Sequence, residues 1–236
     1  MVSDTIALVN NHEQDGITPN LNLPAQVEIV IQALALKYAH ELKSKMEGRV
    51  AEMEVDDTSH YLIYRVLGVS DAEGKLIDVY QNKGRFLYKY AGSFLEDAAK
   101  LCFLEKFPKS GSVRIKNTIG ERPKTFEIDC LVEDRIAVEI KWRDATTDGD
   151  HITKEHTRLQ AVAAAGYIPV RIMFYYPNRS QAMRVQQILE TLYHGVNGQY
   201  YFGDAAWEYV RAQTDTDLKG ILERIAEENR AKHDIH

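Results

Sequence analysis

The stretch TFEIDCLVEDRIAVEIKW, from Thr125 to Trp142, alternates apolar and polar residues on both sides of a three-residue charged break. A period of two is the pattern of a strand with one packed and one wet face. The stretch therefore predicts a β-hairpin, Thr125–Val132 and Ile136–Trp142, turning at Glu133, Asp134 and Arg135. With that turn Asp129 lies opposite Glu139. Glu127, Asp129, Leu131, Ala137, Glu139 and Lys141 share one face, and Ile128, Cys130, Val132, Ile136, Val138 and Ile140 share a wholly apolar one. Pairing one residue out of step would set Asp129 against Ile140 and force a charge into the packed face, so the pattern selects its own register.

Directly opposed side chains have Cβ atoms roughly 4.5 to 5.5 Å apart, and like charges there are destabilising unless a cation lies between them. A hard divalent metal supplies one: magnesium prefers carboxylate oxygens and keeps its other positions for water and phosphate. Lys141 stands two residues beyond Glu139 on the same face, within reach of a water or phosphate held there. Such an amine can orient or deprotonate an attacking water, or stabilise charge developing on phosphorus. The competing reading is a solvated charged face, which would more naturally set acid against base than acid against acid.

Around the hairpin the periodicities predict an irregular N-terminal arm over residues 1–24 and an amphipathic helix from Ala25 to about Glu47. A helical piece follows at SDAEGKLIDVYQ, and after Lys83-Gly84 comes a second long helix that Pro108 ends. HYLIYRVLGVS is apolar but too short to assign by period. A strand at Ser112–Asn117 precedes the hairpin. After it come a polar loop, a helix closed by Gly166, with Thr153 or Asp150 as N-cap, and a buried strand in YIPVRIMFYY. Helices at about Arg179–Tyr193 and Asp215–Ala231 complete an α/β reading, a mixed sheet with antiparallel pairing at its start and a later crossover helix. Residues 25–236 are expected to form a single domain.

A net charge of -6 argues against a protein that coats nucleic acid non-specifically, though not against a local basic cleft. No run of eighteen apolar residues occurs and no secretory pattern opens the chain, so a cytoplasmic protein with no membrane association is expected. Cys102 and Cys130 have no metal-ligand spacing and read as reduced core thiols.

Asp129, nine intervening residues and Glu139-Ile140-Lys141 at the end of an apolar strand resemble the active site of the PD-(D/E)xK nucleases, with Ile128 in the place of the Pro. The helix holding Glu96, the three-strand meander, the helix after Lys141 and the strand IPVRIMFYY resemble that superfamily's restriction-endonuclease-like αβββαβ core over about Phe86–Tyr176. Chain size and the polar loop after Lys141 are similar to type II restriction endonucleases, most closely the ApaLI-like ones. The resemblance implies a magnesium-dependent endonuclease, with one or two metals per site, that cuts both strands of DNA, with GTGCAC as the implied site. It implies Asp129 and Glu139 as metal ligands with the Ile140 carbonyl, Lys141 as the catalytic lysine, and Glu96, or its neighbour Asp97, as a further acid. Glu127 matches no family position; it is either solvated or paired with Lys141. Cutting both strands of a palindrome implies a two-fold homodimer, and a restriction system implies a separate cognate DNA methyltransferase.

Base edges in the major groove are read by Arg or Lys, Asn or Gln, and acids. The run RDATTDGDHITKEHTR supplies Arg143, Asp144, Asp148, Asp150, His151, Lys154, His156 and Arg158 close to the proposed cut site, and Lys116 is a candidate phosphate contact. The aromatic group QYYFGDAAWEY could stack on bases or form a dimer surface, although Phe202, Ala206, Trp207 and Val210 have the near-helical spacing of packed residues. A repair or structure-specific nuclease and a non-catalytic DNA-binding protein are the alternative readings. Intact Asp129, Glu139 and Lys141 weigh against the second.

Overall fold

The computed structural model describes residues 23–143 and 149–233; the predicted arm lies outside them up to residue 22, and residues 23 and 24 already belong to a helix. The elements run α1 (Leu23–Glu54), α2 (Tyr61–Val66), α3 (Asp71–Lys106), β1 (Gly111–Lys116), β2 (Thr125–Val132), β3 (Ile136–Arg143), α4 (Gly149–Ala164), β4 (Ile168–Tyr175), α5 (Ser180–Gly195), β5 (Gln199–Phe202), α6 (Asp204–Thr214) and α7 (Leu218–His233). They form two compact units, Met1–Gln32 with Leu95–His236, and Ala33–Phe94.

The first unit is the mixed α/β sheet that the alternation predicts, with strand order β1-β2-β3-β4-β5. β1, β2 and β3 are antiparallel neighbours, while β3 with β4 and β4 with β5 are parallel. A parallel step needs a crossover, and α4 supplies the one between β3 and β4. β4 is apolar on both faces, as a covered central strand must be, apart from Arg171. The first turns of α1 reach α7 through Glu28, whose two carboxylate oxygens each take a 2.8 Å bond from Arg224.

The hairpin register is the expected one, with Cys130, Leu131 and Val132 opposite Val138, Ala137 and Ile136. The simple alternation of β2 is not. Against β1 the register shifts, Gly111 pairing with Leu131 but Val113 with Ile128, so β2 carries an extra residue at Asp129–Cys130. That bulge turns Phe126 and Ile128 to the same packed cluster as Leu131 and Ala137, together with Ala161 and Val162 of α4. Glu127 is thereby turned away from the Glu139 face, is exposed, and pairs with Arg114 at 3.3 Å.

Four other elements depart from the sequence reading or add to it. α3 is one helix running straight through Gly84, because a single interior glycine costs only about 1 kcal/mol, which packing along the helix offsets. HYLIYRVLGVS contains the short α2, and QYYF, whose aromatics suggested only packing or stacking, forms the fourth sheet pairing as β5. Thr153 and Asp150 lie inside α4, which begins at Gly149, rather than at its N-cap.

In the second unit α1 and α3 run antiparallel. Tyr38 meets Tyr90 and Phe94 edge-on at 6.1 and 5.9 Å, and Arg49 reaches Asn82 at 3.4 Å. The α2 ring of Tyr64 lies over Gly74, where a Cβ would come within 2.5 Å of it, and its hydroxyl donates to Asp78 at 3.0 Å.

Gly166 ends α4 with φ +87°; its N–H bonds the Ala163 carbonyl at 2.9 Å and the Tyr167 N–H bonds that of Val162 at 3.2 Å. This is the double bond of a Schellman cap, completed by Tyr167 packing on the cluster that holds Val162. Since an L-residue in the left-handed region costs roughly 1–2 kcal/mol, Gly166→Ala is expected to lower the urea midpoint by about that stability with an unchanged slope. An unshifted midpoint would mean that the cap contributes nothing.

Candidate active site

Beyond Cys130 the β2–β3 ladder stops, and the side chain of Asp129 takes the place of a backbone acceptor: its Oδ2 receives the Ile140 N–H at 2.8 Å. Asp129 is therefore pinned to the strand that carries Glu139 and Lys141. Lys141 Nζ lies 2.5 Å from Glu139 Oε1 and 3.6 Å from Asp129 Oδ2, so both carboxylates converge on one ammonium.

Behind Glu139 is a second set of charges that the alternation does not reveal. Arg158 of α4 bonds Glu139 Oε2 and, at 3.0 Å, Glu155. Glu155 also accepts from Arg171 of β4 at 3.2 Å and from the Tyr193 hydroxyl of α5 at 2.9 Å. Glu139, Glu155, Arg158 and Arg171 are all buried, at 7%, 5%, 9% and 2% exposure. Charges are tolerated at such depth only when paired. Asp129, Glu139 and Glu155 set against Lys141, Arg158 and Arg171 leave the cluster close to electrically balanced.

The two convergent carboxyls differ sharply. Burial raises the Asp129 carboxyl, the neighbouring Glu139 charge adds to it, and the group is pushed up to about 7 against the pull of Lys141. Burial would raise Glu139 too, but Arg158, Lys141 and Arg171 outweigh it and hold that carboxyl below the usual range. Lys141 loses solvation but gains more from Glu139 and Asp129, so its amine stays protonated.

Glu96 of α3 adds negative charge near Asp129 and pairs with Lys100 at 2.5 Å; Lys100 also lies 3.9 Å from buried Asp97. Of the residues expected in the loop, Arg143 is the last of β3 and packs its guanidinium 5.4 Å from the Trp142 ring centre. These two join Tyr175, Tyr176, Pro177 and Asn178 around a pocket of about 260 Å³ at the carboxyl ends of β3 and β4. Lys116, Lys154 and His156 are exposed, His156 beside Gln160 at 3.1 Å. Arg158, expected among the base-reading residues, is instead held between two buried acids. Asp144 and Asp148 lie outside the described residues, as do the side chains of Asp150 and His151. Arg171, Glu155, Tyr193 and Lys100 were not singled out in the sequence. Arg171 left a signal, since a charge inside the apolar run IPVRIMFYY demands a buried partner.

The model of the ApaLI-like restriction endonuclease family matches residues 12–227. The chain belongs to that family. No protein of curated function and no solved structure matches it. An ApaLI-like restriction endonuclease is a nuclease that acts on DNA, and restriction endonucleases generally use divalent metals. The residues present suit such an ion: two carboxylates converge where a cation already sits, at Lys141 Nζ. Among the described residues no three His, Cys, Asp or Glu side chains form a metal cage. Two carboxylates with backbone and water are the sparse donor set that magnesium takes.

The raised Asp129 carboxyl has a pH consequence. Its folded pKa lies above the unfolded value of about 3.9, so protonation favours the folded state and this contribution is lost as pH rises through about 7. Asp129→Asn is therefore expected to stabilise the metal-free protein, with the gain over wild type growing from pH 5 to pH 8 in thermal melts. A gain independent of pH would show Asp129 to titrate elsewhere.

Proposed function

We propose that the protein is a type II restriction endonuclease that hydrolyses phosphodiester bonds of double-stranded DNA with Mg2+, cutting at a specific sequence, GTGCAC being the family-implied one. The observation that carries this reading is the convergence of Asp129, Glu139 and Lys141 at the end of the hairpin, in a chain that the family model spans almost throughout. Asp129, Glu139 and the Ile140 carbonyl would hold the metal, which when bound would supply an activated water and neutralise charge on the scissile phosphate.

The water oxygen forms the new bond to phosphorus as the bond from phosphorus to the 3′ oxygen breaks; one water proton passes to solvent and the leaving 3′ oxygen takes a proton from solvent, giving a 3′ hydroxyl and a 5′ phosphate. Lys141 is an ammonium here, so it orients the water and stabilises the charge that builds on the phosphoryl oxygens rather than removing the proton. Arg158 acts as a positioning residue: it neutralises Glu139 from behind and fixes the face that the carboxylate presents. A nearly balanced cluster becomes electropositive once a dication is bound, which suits an anionic backbone. Glu96 or Asp97 is a further acid near Asp129. Lys116, Arg143, Lys154 and His156 are the candidate DNA contacts among the described side chains, with Asp144, Asp148, Asp150 and His151 as further candidates from the sequence. Recognition of a palindrome requires two copies, and host protection requires a separate methyltransferase of the same specificity.

Incubated with long duplex DNA and Mg2+, the protein is expected to give discrete fragments, and chelation to abolish them. Digestion to small oligonucleotides would point to a non-specific nuclease, and no cleavage under any divalent metal would remove the proposal. Asp129→Ala and Lys141→Ala should each reduce cutting by about 100-fold or more while the protein stays folded, the scale seen when one charged transition-state contact is lost. Near-normal cutting by either variant would displace the site. Truncating Arg158 to Ala leaves Glu139 and Glu155 short of a buried cation, which typically costs about 3–5 kcal/mol, to be read from chemical denaturation.

A further inference from the structure

The helical unit Ala33–Phe94 carries an apolar face that no step of the proposed reaction uses. On the first half of α3, Leu76, Ile77, Tyr80 and Leu87 are 57%, 52%, 67% and 49% exposed. At about 100° per residue, these four fall on one side of the helix with Gly84 and Ala91 along its middle. Ile77, Tyr80, Gly84, Leu87 and Ala91 are spaced by alternating threes and fours, the heptad spacing of a helix seam. The other sides of α3 are taken: Asn82 and Tyr90 face α1, and Gly74 and Asp78 face α2. The outward side of α2 adds Leu62, Ile63, Val66 and Leu67, each more than half exposed.

We propose that this face of α3 is the homodimer interface and that its occupant is the same face of a second copy, related by a two-fold axis. The proposal rests on the restriction-endonuclease reading for why two copies are needed, but its surface is chosen on other grounds. The first is area. Leu76, Ile77, Tyr80 and Leu87 together leave roughly 450 Å² open on this one face of α3, the size of patch that on a monomer is often functional.

The second ground is self-complementarity. An antiparallel pairing that sets Ile77 against the partner's Leu87 also sets Tyr80 against the partner's Gly84. A two-fold interface must pair a surface with itself in this reciprocal way. Nothing lies within 4 Å of where a Cβ of Gly84 would stand, so there is space there for the ring. The large side chains thus meet either an apolar partner or the gap left by a glycine. Glu73 stands on the seam line one turn before Ile77 and Gln81 stands at its side, so the end and edge of the seam are polar.

The test is sedimentation of the full chain without DNA, at micromolar concentrations. Wild type is expected as a dimer of the 26.9 kDa chain, and Ile77→Glu/Leu87→Glu as a monomer over the same range, dissociating at least 100-fold more readily, with unchanged circular dichroism. Both positions are exposed and remote in sequence from Asp129, Glu139 and Lys141, so folding and single-strand nicking of supercoiled plasmid should persist while concerted double-strand cutting falls. In a second measurement, Ile77→Cys/Leu87→Cys should oxidise to a covalent dimer, because Cys102 and Cys130 are buried and do not compete. Monomeric wild type, a charge variant that stays dimeric, or a dimer that the engineered cysteines fail to cross-link would each overturn the interface. The nuclease reading fails separately: a dimer that the variants disrupt as expected but that cuts no DNA keeps the interface and loses the activity, whereas cutting by a charge variant still dimeric keeps the activity and loses the interface.

Discussion

The Glu139 carboxylate is the point on which the sheet unit turns. It sits on β3 at 7% exposure, where an unpaired carboxylate would not stay ionised, and it does so because one oxygen meets Lys141 and the other Arg158. Arg158 in turn needs Glu155, and Glu155 collects Arg171 and Tyr193. One buried acid thereby ties β3 to α4, β4 and α5. Such clusters contribute little net stability compared with apolar packing, but they are unforgiving of a missing partner, so they fix geometry more than they add energy. Rigidity of that kind would suit the proposed role of Glu139, meeting a metal and a phosphate at set distances.

The same burial works differently at Asp129. It faces Lys141 at 3.6 Å rather than 2.5 Å and, among the described residues, makes no direct ion pair with an arginine, so loss of solvent and repulsion from Glu139 prevail and its carboxyl rises as Glu139 falls. One carboxylate is permanently charged and the other is poised near neutrality. The β-bulge at Asp129–Cys130 makes the difference possible: it interrupts the ladder, lets the Asp129 side chain take the Ile140 N–H, and swings Glu127 out of the site. A regular strand would have added Glu127 as a third acid on the same face and raised the repulsion further.

The hairpin and its register were legible because period-two alternation leaves one packing solution, and the pairs at Cys130, Leu131 and Val132 match it. The bulge was not, since an extra residue in one strand leaves the alternation of the other intact and depends on β1, a distant partner. The central strand at β4 was legible from its apolar run, and Arg171 within it was the visible sign of a buried cluster whose members lie on four elements. Arg158 misled because a loop-and-helix sequence rich in charge looks alike whether a given cation faces DNA or the core; only the turn of α4 decides it. Gly84 misled in the other direction, because helix propensity is a weak signal beside packing along a long helix.

That division has a physical consequence for specificity. The cluster behind Glu139 is closed and spends its arginines on internal acids, so they are not available to bases or phosphates. Arg143 and the pocket at the ends of β3 and β4 stand outside that cluster, two residues beyond Lys141. On the proposed reading, cutting chemistry and base reading would fall to opposite sides of the same strand-to-helix passage: the inward side is fixed by ion pairs that tolerate little change, while the outward side could vary in charge without disturbing them. A scaffold built in this way can keep one reaction and change what it reads.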